Sequence, residues 1–137
     1  MTKAQQLKAK LDELRNGNIA NKRLCEKIDQ IQRIIKHRGE TYSLKQELIQ
    51  LQELYEIHAK QYSVKKVYEI ANSIELDADT FTCFIEFYSG ASVHEVALTY
   101  YWSDRSVEYK LANARYELIN AGYVFGGCDE NEAENDN

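Results

Sequence analysis

Between Ser92 and Leu118 the chain reads SVHEVALTYYWSDRSVEYKLANARYEL, and its apolar pattern is met only by two short helices crossed around a tight turn. Val93, Val96, Ala97 and Tyr100 recur at the three-and-four spacing that puts them on one helix face. Ala97 is the small residue at which a second helix can cross closely. Tyr101 stands in the turn, and the apolar Trp102 after it is predicted to be buried between the helices. Ser103 is an oxygen-bearing N-cap, and Asp104 opens a first turn that favours negative charge. The second helix then buries Val107, Leu111 (or Lys110 by its stem), Ala114 and Leu118. Arg105, Glu108, Tyr109, Ala112 and Asn113 are left on the opposite face for solvent or a partner.

A further helix precedes this pair, since Leu76-Asp77-Ala78-Asp79 leads into Phe81, Phe84, Ile85 and Tyr88 and stops at Ser89-Gly90. The segments Ser92-x-x-Glu95-Val96-Ala97, Trp102-Ser103-x-x-Ser106-Val107 and Leu111-x-x-Ala114-Arg115 are together similar to region four of bacterial sigma factors. The similarity covers residues 76–123. With a coiled-coil-like segment ahead of it, the whole chain resembles the small phage late transcriptional regulators of the RinA and ArpU type. That resemblance implies a helical fold, a role in switching on packaging or lysis genes, and a second helix of the helix-turn-helix that enters the major groove of double-stranded DNA.

Composition points to the same fold class by a separate route. The 137 residues hold no Pro and only six Gly, so a β-sandwich would lack its turn residues, and an all-α chain is expected. The expected architecture is an N-terminal helical hairpin or coiled coil followed by a three-helix helix-turn-helix domain. No stretch approaches the roughly 20 apolar residues that span a bilayer. The N-terminus has no hydrophobic run behind its charge, so a cytoplasmic setting is expected. Cys25, Cys83 and Cys128 are an odd number at wide spacing, which is neither a disulfide framework nor a zinc set. No metal or other cofactor is expected. His94 beside Glu95 has no nucleophile or second acid at a spacing that would complete a catalytic site, so no enzyme activity is expected.

In the N-terminal half, Leu7, Leu11 and Leu14 predict a short amphipathic helix that breaks at the turn cluster Asn16-Gly17-Asn18. A second helix carries Leu24, Ile28, Ile31 and Ile35, widened by Ile34, and ends at Gly39. Ser43 and Gln46 have the spacing of a capping box, so a third helix starts there and runs through Leu44, Leu48, Leu51, Tyr55 and His58 in a seven-residue repeat. Ile49 and Ile57 suggest a second seam, and two seams imply two neighbours. An antiparallel hairpin and a dimeric coiled coil use the same pattern, and the short Gly-containing loops favour the hairpin. In the dimer, the contacts would come from Leu24, Ile28, Ile31, Ile35, Leu44, Leu48, Leu51 and Tyr55.

Val64, Val67, Tyr68, Ala71 and Ile74 continue at helical spacing to Leu76 as a connector. After Gly122 ends the last helix, Tyr123, Val124 and Phe125 are expected to fold back over the core, and the acidic tail is expected to be disordered. The predicted boundaries are 1–62 for the hairpin or coil, 63–76 for the connector helix, 77–127 for the helix-turn-helix domain and 128–137 for the tail.

Charge is split between the halves. Residues 1–60 carry twelve Lys and Arg against eight Asp and Glu, whereas residues 61–137 carry five against fourteen. A duplex-binding module needs cations to neutralise phosphates, so this split runs opposite to the fold signal.

The candidate DNA-binding residues are Ser103, Arg105, Ser106, Glu108, Tyr109, Lys110, Asn113 and Arg115. Arg105 is the candidate for reading a base, while Lys110 and Arg115 are candidates for phosphates. Glu108 can accept from a cytosine amine or repel the backbone. Tyr88 and Tyr100 sit at packing positions. The run Lys22, Arg23, Lys27, Arg33, Lys36 and Arg38 is a solvated face unless the hairpin lies beside the helix-turn-helix, where it could hold phosphates. Three functions fit these features. The first is a dimeric transcription regulator. The second is an adaptor or inhibitor whose acidic surface meets a basic host protein such as an RNA polymerase subunit or a nuclease. The third is a packaging protein of the small-terminase kind, in which the helix-turn-helix commonly comes first.

Overall fold

The computed structural model describes residues 2–125 and contains six α-helices and, among these residues, no strand. They are α1 (Lys3–Arg38), α2 (Tyr42–Gln61), α3 (Val64–Ala71), α4 (Ala78–Tyr88), α5 (Val93–Tyr100) and α6 (Asp104–Asn120). The chain is all-α. No helix among the described residues is long and apolar enough to cross a membrane. Residues 128–137, where the disordered tail was expected, lie outside the described residues, as does Cys128.

The N-terminal expectation needs its first correction at Asn16-Gly17-Asn18. These residues do not break the chain, because α1 runs through them without interruption for 36 residues. A capping box starts the helix, with the Thr2 hydroxyl accepting from the Gln5 amide and the Gln5 side chain accepting from the Thr2 amide. It ends with Lys36, His37 and Arg38 at the carbonyl end and Gly39 at a positive φ of 97°. Inside it, each turn-forming residue answers a distant part of the chain. The Tyr62 ring lies on Gly17 so closely that a methyl there would overlap it. Asn18 Nδ2 donates to the Tyr88 carbonyl at 2.9 Å, and Asn21 Nδ2 donates to the Tyr62 carbonyl at 2.8 Å. Those two carbonyls belong to helix ends, where the backbone has no partner of its own. Tertiary contact thus overrides the weak local preference for a turn.

The second correction is at the start of α2. Thr41 is the N-cap, its hydroxyl accepting from the Leu44 amide at 3.2 Å, and Ser43 lies inside the first turn. Either hydroxyl could cap, and Thr41, extended at φ −116° and ψ 162°, lets the helix begin directly after a three-residue connection.

α1 and α2 form an antiparallel hairpin within the chain. Tyr62, after the end of α2, lies beside Gly17 and Asn21. Ile31 is buried, while Leu24, Ile28, Ile35, Leu44, Leu48, Leu51 and Tyr55 are half-buried along the seam.

The third correction concerns the connector. Its helix, α3, stops at Ala71 rather than continuing to Leu76, because Asn72 caps it and the Ser73 hydroxyl donates to the Ile70 carbonyl at 2.6 Å. Ile74 and Leu76 still pack on the core from non-helical backbone. Asp77 then caps α4, accepting from the Thr80 amide and hydroxyl.

One core serves both ends of the sequence. Leu7, Leu11 and Leu14 of α1 join Val67, Ile70 and Ala71 of α3, Cys83, Phe84, Ile85 and Tyr88 of α4, Val96 and Ala97 of α5, and Val107, Leu111, Ala114 and Leu118 of α6. The first half of α1 therefore closes the C-terminal helices, and its second half extends beyond them to pair with α2. Tyr123 and Phe125 pack back on this core, edge to face at 5.9 Å, whereas Val124 stays exposed.

Candidate nucleic-acid interface

α5 starts at a complete capping box. The Ser92 hydroxyl accepts from the Glu95 amide at 3.0 Å, and a Glu95 carboxylate oxygen accepts from the Ser92 amide at 2.8 Å. That amide, then the Ser92 hydroxyl, then Lys22 and Arg15, hold the Glu95 carboxyl below the usual carboxylate range against a smaller desolvation effect. Val96 and Ala97 are buried, as the three-and-four spacing requires, while Val93 and Tyr100 are half-buried.

The turn between α5 and α6 is built from Tyr101, Trp102 and Ser103. Tyr101 adopts the left-handed conformation at φ 60° and ψ 40°, which ordinarily favours glycine, and its ring stands in solvent. Trp102 is half-buried rather than enclosed between the helices. Its ring stacks on Tyr100 with centroids 5.0 Å apart, and the Lys110 ammonium lies 4.9 Å from its centroid. The ring thus packs at the edge of the core, with part of its surface left in solvent. Tyr100 is itself held by its hydroxyl, which donates to Glu86 at 2.9 Å.

Ser103 caps α6, its hydroxyl accepting from the Ser106 amide at 3.0 Å. Val107, Leu111, Ala114 and Leu118 are the buried face, in agreement with the spacing. Arg105, Glu108, Tyr109 and Ala112 face solvent and Asn113 is half-buried. Tyr116 continues the outward stripe, a position the same spacing from Tyr109 and Ala112 could have supplied.

The three cations of α6 differ in their engagement. Lys110 donates to the Ser106 hydroxyl at 2.8 Å while lying over Trp102, and Arg115 donates to the Tyr88 hydroxyl at 3.1 Å. Arg105 is exposed on the outward stripe. Burial raises the Tyr88 hydroxyl above its ordinary pKa, and Arg115 opposes that rise.

The structure adds a neighbour that the spacing within α6 could not show. Arg15 of α1 donates to the Phe87 carbonyl through Nε and to the Ala91 carbonyl through Nη2, both at 2.9 Å. Gly90, at φ 128°, lies against Ile19. α1 is thereby fixed along the α4–α5 corner, and its next turn carries Lys22 close enough to Glu95 to lower that carboxyl. His94 Nδ1 stands 3.2 Å from an Asp104 carboxylate oxygen and links the first turns of α5 and α6. The basic run therefore starts just after the part of α1 that is fixed to the α4–α5 corner, and the first turns of α5 and α6 approach at His94 and Asp104, with Arg23 and Lys27 exposed further along α1. No family model, curated protein or solved structure matches the chain.

Proposed function

We propose that the chain is a DNA-binding transcription regulator, with α5 and α6 as its helix-turn-helix and α6 as the helix that reads sequence. Its assignment to phage or prophage genes, and to the cytoplasm, rests on the resemblance described above. The observation that carries the reading is the position of α1, whose Arg15 and Ile19 lie against Ala91 and Gly90 directly before its basic run, while the outward stripe of α6 stays uncovered. This arrangement answers the charge split, because phosphates need not be neutralised by α6 itself. A major groove about 12 Å wide admits one helix. Arg105 then reads a guanine edge, Tyr109 makes an apolar contact, Glu108 accepts from a cytosine amine, and Lys22 and Arg23 hold phosphates.

The experiment is a mobility shift on double-stranded DNA flanking the chain's own gene, at two salt concentrations. Binding is expected to weaken with salt, and Lys22→Ala and Arg23→Ala are each expected to lower the slope of log affinity against log salt by about one. Absence of a shift at either concentration removes the proposal.

A second reading, as an adaptor for a basic host protein, is favoured by exposed apolar groups. Leu98, Tyr101, Tyr109 and Tyr116 all face solvent on the α5–α6 unit. Such groups are common in protein interfaces, where tyrosine is enriched. The adaptor reading gains if Tyr109→Ala abolishes capture of a polymerase subunit or nuclease while the parent chain shifts no DNA.

A further inference from the structure

We infer that His94 is a further DNA contact: held by Asp104 at the flank of α6, its imidazole takes up a proton when the duplex binds and donates to a backbone phosphate through Nε2. This role rests on the DNA reading proposed above and adds a residue outside the basic run.

The two residues stand on different helices of the pair. His94 belongs to the first turn of α5 and Asp104 opens α6, and His94 Nδ1 lies 3.2 Å from the Asp104 carboxylate oxygen. A carboxylate only accepts, so this contact is a hydrogen bond when Nδ1 carries the proton. A neutral imidazole has one proton for its two nitrogens, which leaves Nε2 bare on the side of the ring turned away from Asp104. The side chains of His94 and Asp104 are 68 % and 55 % exposed, so the pair is open to a partner.

The place of Asp104 on α6 sets what His94 meets. At about 100° per residue, Asp104 is about 60° from the buried Val107 and about 100° from the outward Arg105, so it lies on the flank between the two faces. A helix with its side chains is about 10–12 Å across and fills a major groove about 12 Å wide. A flank then faces the sugar-phosphate wall rather than a base edge. The helix ahead of the reading helix crosses that backbone, and His94 is in its first turn.

Charge makes the contact depend on a proton. Asp104 at the wall repels phosphates, and protonation of His94 both cancels that charge within the pair and gives Nε2 a proton to donate. The other charged groups around the imidazole are engaged elsewhere or are acidic. On α5, Glu95 is turned to the Ser92 amide at 2.8 Å, and Lys22 and Arg15 of α1 act on that carboxylate. On α4, Glu86 is held by Tyr100 at the far end of α5. On α6, Glu108 follows Asp104 by four residues along the same flank. A phosphate against Nε2 favours the charged ring, so binding draws one proton per chain from solvent wherever the free imidazole is neutral.

Fluorescence anisotropy of a labelled duplex flanking the chain's own gene, titrated with the full chain at fixed ionic strength, reads the affinity at pH 6, 7 and 8. The parent is expected to bind about tenfold more weakly at pH 8 than at pH 6, the size of one proton-linked contact. His94→Gln is expected to bind at the parent's pH 8 level throughout. His94→Arg, a permanent cation, is expected to bind at the parent's pH 6 level throughout. His37→Gln, at the far end of α1, is expected to keep the parent's dependence. A pH dependence that survives in His94→Gln, a parent that binds the duplex equally at all three values, or equal weakening by the Gln and Arg variants, as a merely structural link between α5 and α6 would give, overturns the role of His94 and leaves the DNA reading standing. No binding of the duplex at any of the three values overturns both.

Discussion

The guanidinium of Arg15 lies 4.2 Å over the ring of Phe87 while its Nε donates to the carbonyl of the same residue. With the second bond to Ala91, one side chain pins the first half of α1 to the corner between α4 and α5. Arg15→Ala is expected to destabilise the fold by about 2–3 kcal/mol, the range for hydrogen bonds from a charged group together with a cation–π contact. Arg15→Lys keeps the charge but loses the planar fork, so it is expected to recover only part of that loss. Urea denaturation of the three proteins checks both statements, and equal midpoints for parent and alanine variant contradict them.

Gly17 sits inside a helix, where replacement of an exposed glycine by alanine ordinarily gains about 0.5–1 kcal/mol. Here the added methyl meets the Tyr62 ring, so Gly17→Ala is expected to cost about 1–3 kcal/mol instead. The sign of the midpoint shift in denaturant is the measurement, and a rise would mean that the Tyr62 contact is not held in solution.

Trp102 is half-buried at the edge of the core, stacked on Tyr100 with the Lys110 ammonium over its ring. Trp102→Ala is therefore expected to cost about 1–3 kcal/mol, below the 3–5 kcal/mol typical of an enclosed indole. Its emission maximum should fall between those of buried and fully exposed tryptophan; either extreme would show that the half-buried placement is not the one in solution.

Two helix caps make stability depend on pH. Asp77 is held below the usual carboxylate range by the Thr80 hydroxyl and amide, and Glu95 chiefly by the Ser92 amide. A carboxyl whose folded pKa is depressed stabilises the fold above its unfolded value, about 4, and loses that contribution as pH falls through the folded value. Near neutrality these two groups contribute no slope, and the loss begins as the solution becomes more acid than about pH 4. Asp77→Asn and Glu95→Gln keep hydrogen-bonding caps without the charge, so each should flatten part of the acid decline. Superimposable stability curves for parent and variants from pH 7 to pH 3 would refute the assignment.

On the outward stripe of α6, Arg105→Ala is expected to remove about 1–3 kcal/mol of discrimination between specific and altered DNA sites. Glu108→Ala is expected to change base preference or tighten non-specific binding. Arg115, engaged with Tyr88, is expected to affect unfolding rather than the salt slope. Competition binding with matched and scrambled duplexes separates these effects.

The helices of the C-terminal half were legible because their signals are local. Asp77, Ser92 and Ser103 cap where their hydroxyl or carboxyl oxygens predict, Gly90 and Gly122 follow the helix ends at positive φ, and the buried face of α6 follows from spacing alone. The run Asn16-Gly17-Asn18 misleads because the reasons for it are the Tyr62 ring and the Tyr88 carbonyl, neither of which is near in sequence. Thr41 and Ser43 offer chemically equivalent caps two residues apart, so spacing could not choose between them. The placement of Arg15 and Ile19 against Ala91 and Gly90 likewise depends on where α1 is pinned, which no periodicity within α1 encodes.

The order in which the core is filled has a consequence for synthesis. Leu7, Leu11 and Leu14 leave the ribosome about a hundred residues before Val107, Leu111 and Leu118 of α6, with which they share their cluster. The apolar stripe of α1 therefore stays incompletely covered until α6 is made. Contacts so far apart in sequence slow folding, and exposed apolar surface during that interval invites association with other nascent chains. A ribosome paused before α6 emerges would hold a finished hairpin whose base closes on α3, α4 and α5 alone, with the places of Val107, Leu111, Ala114 and Leu118 unfilled.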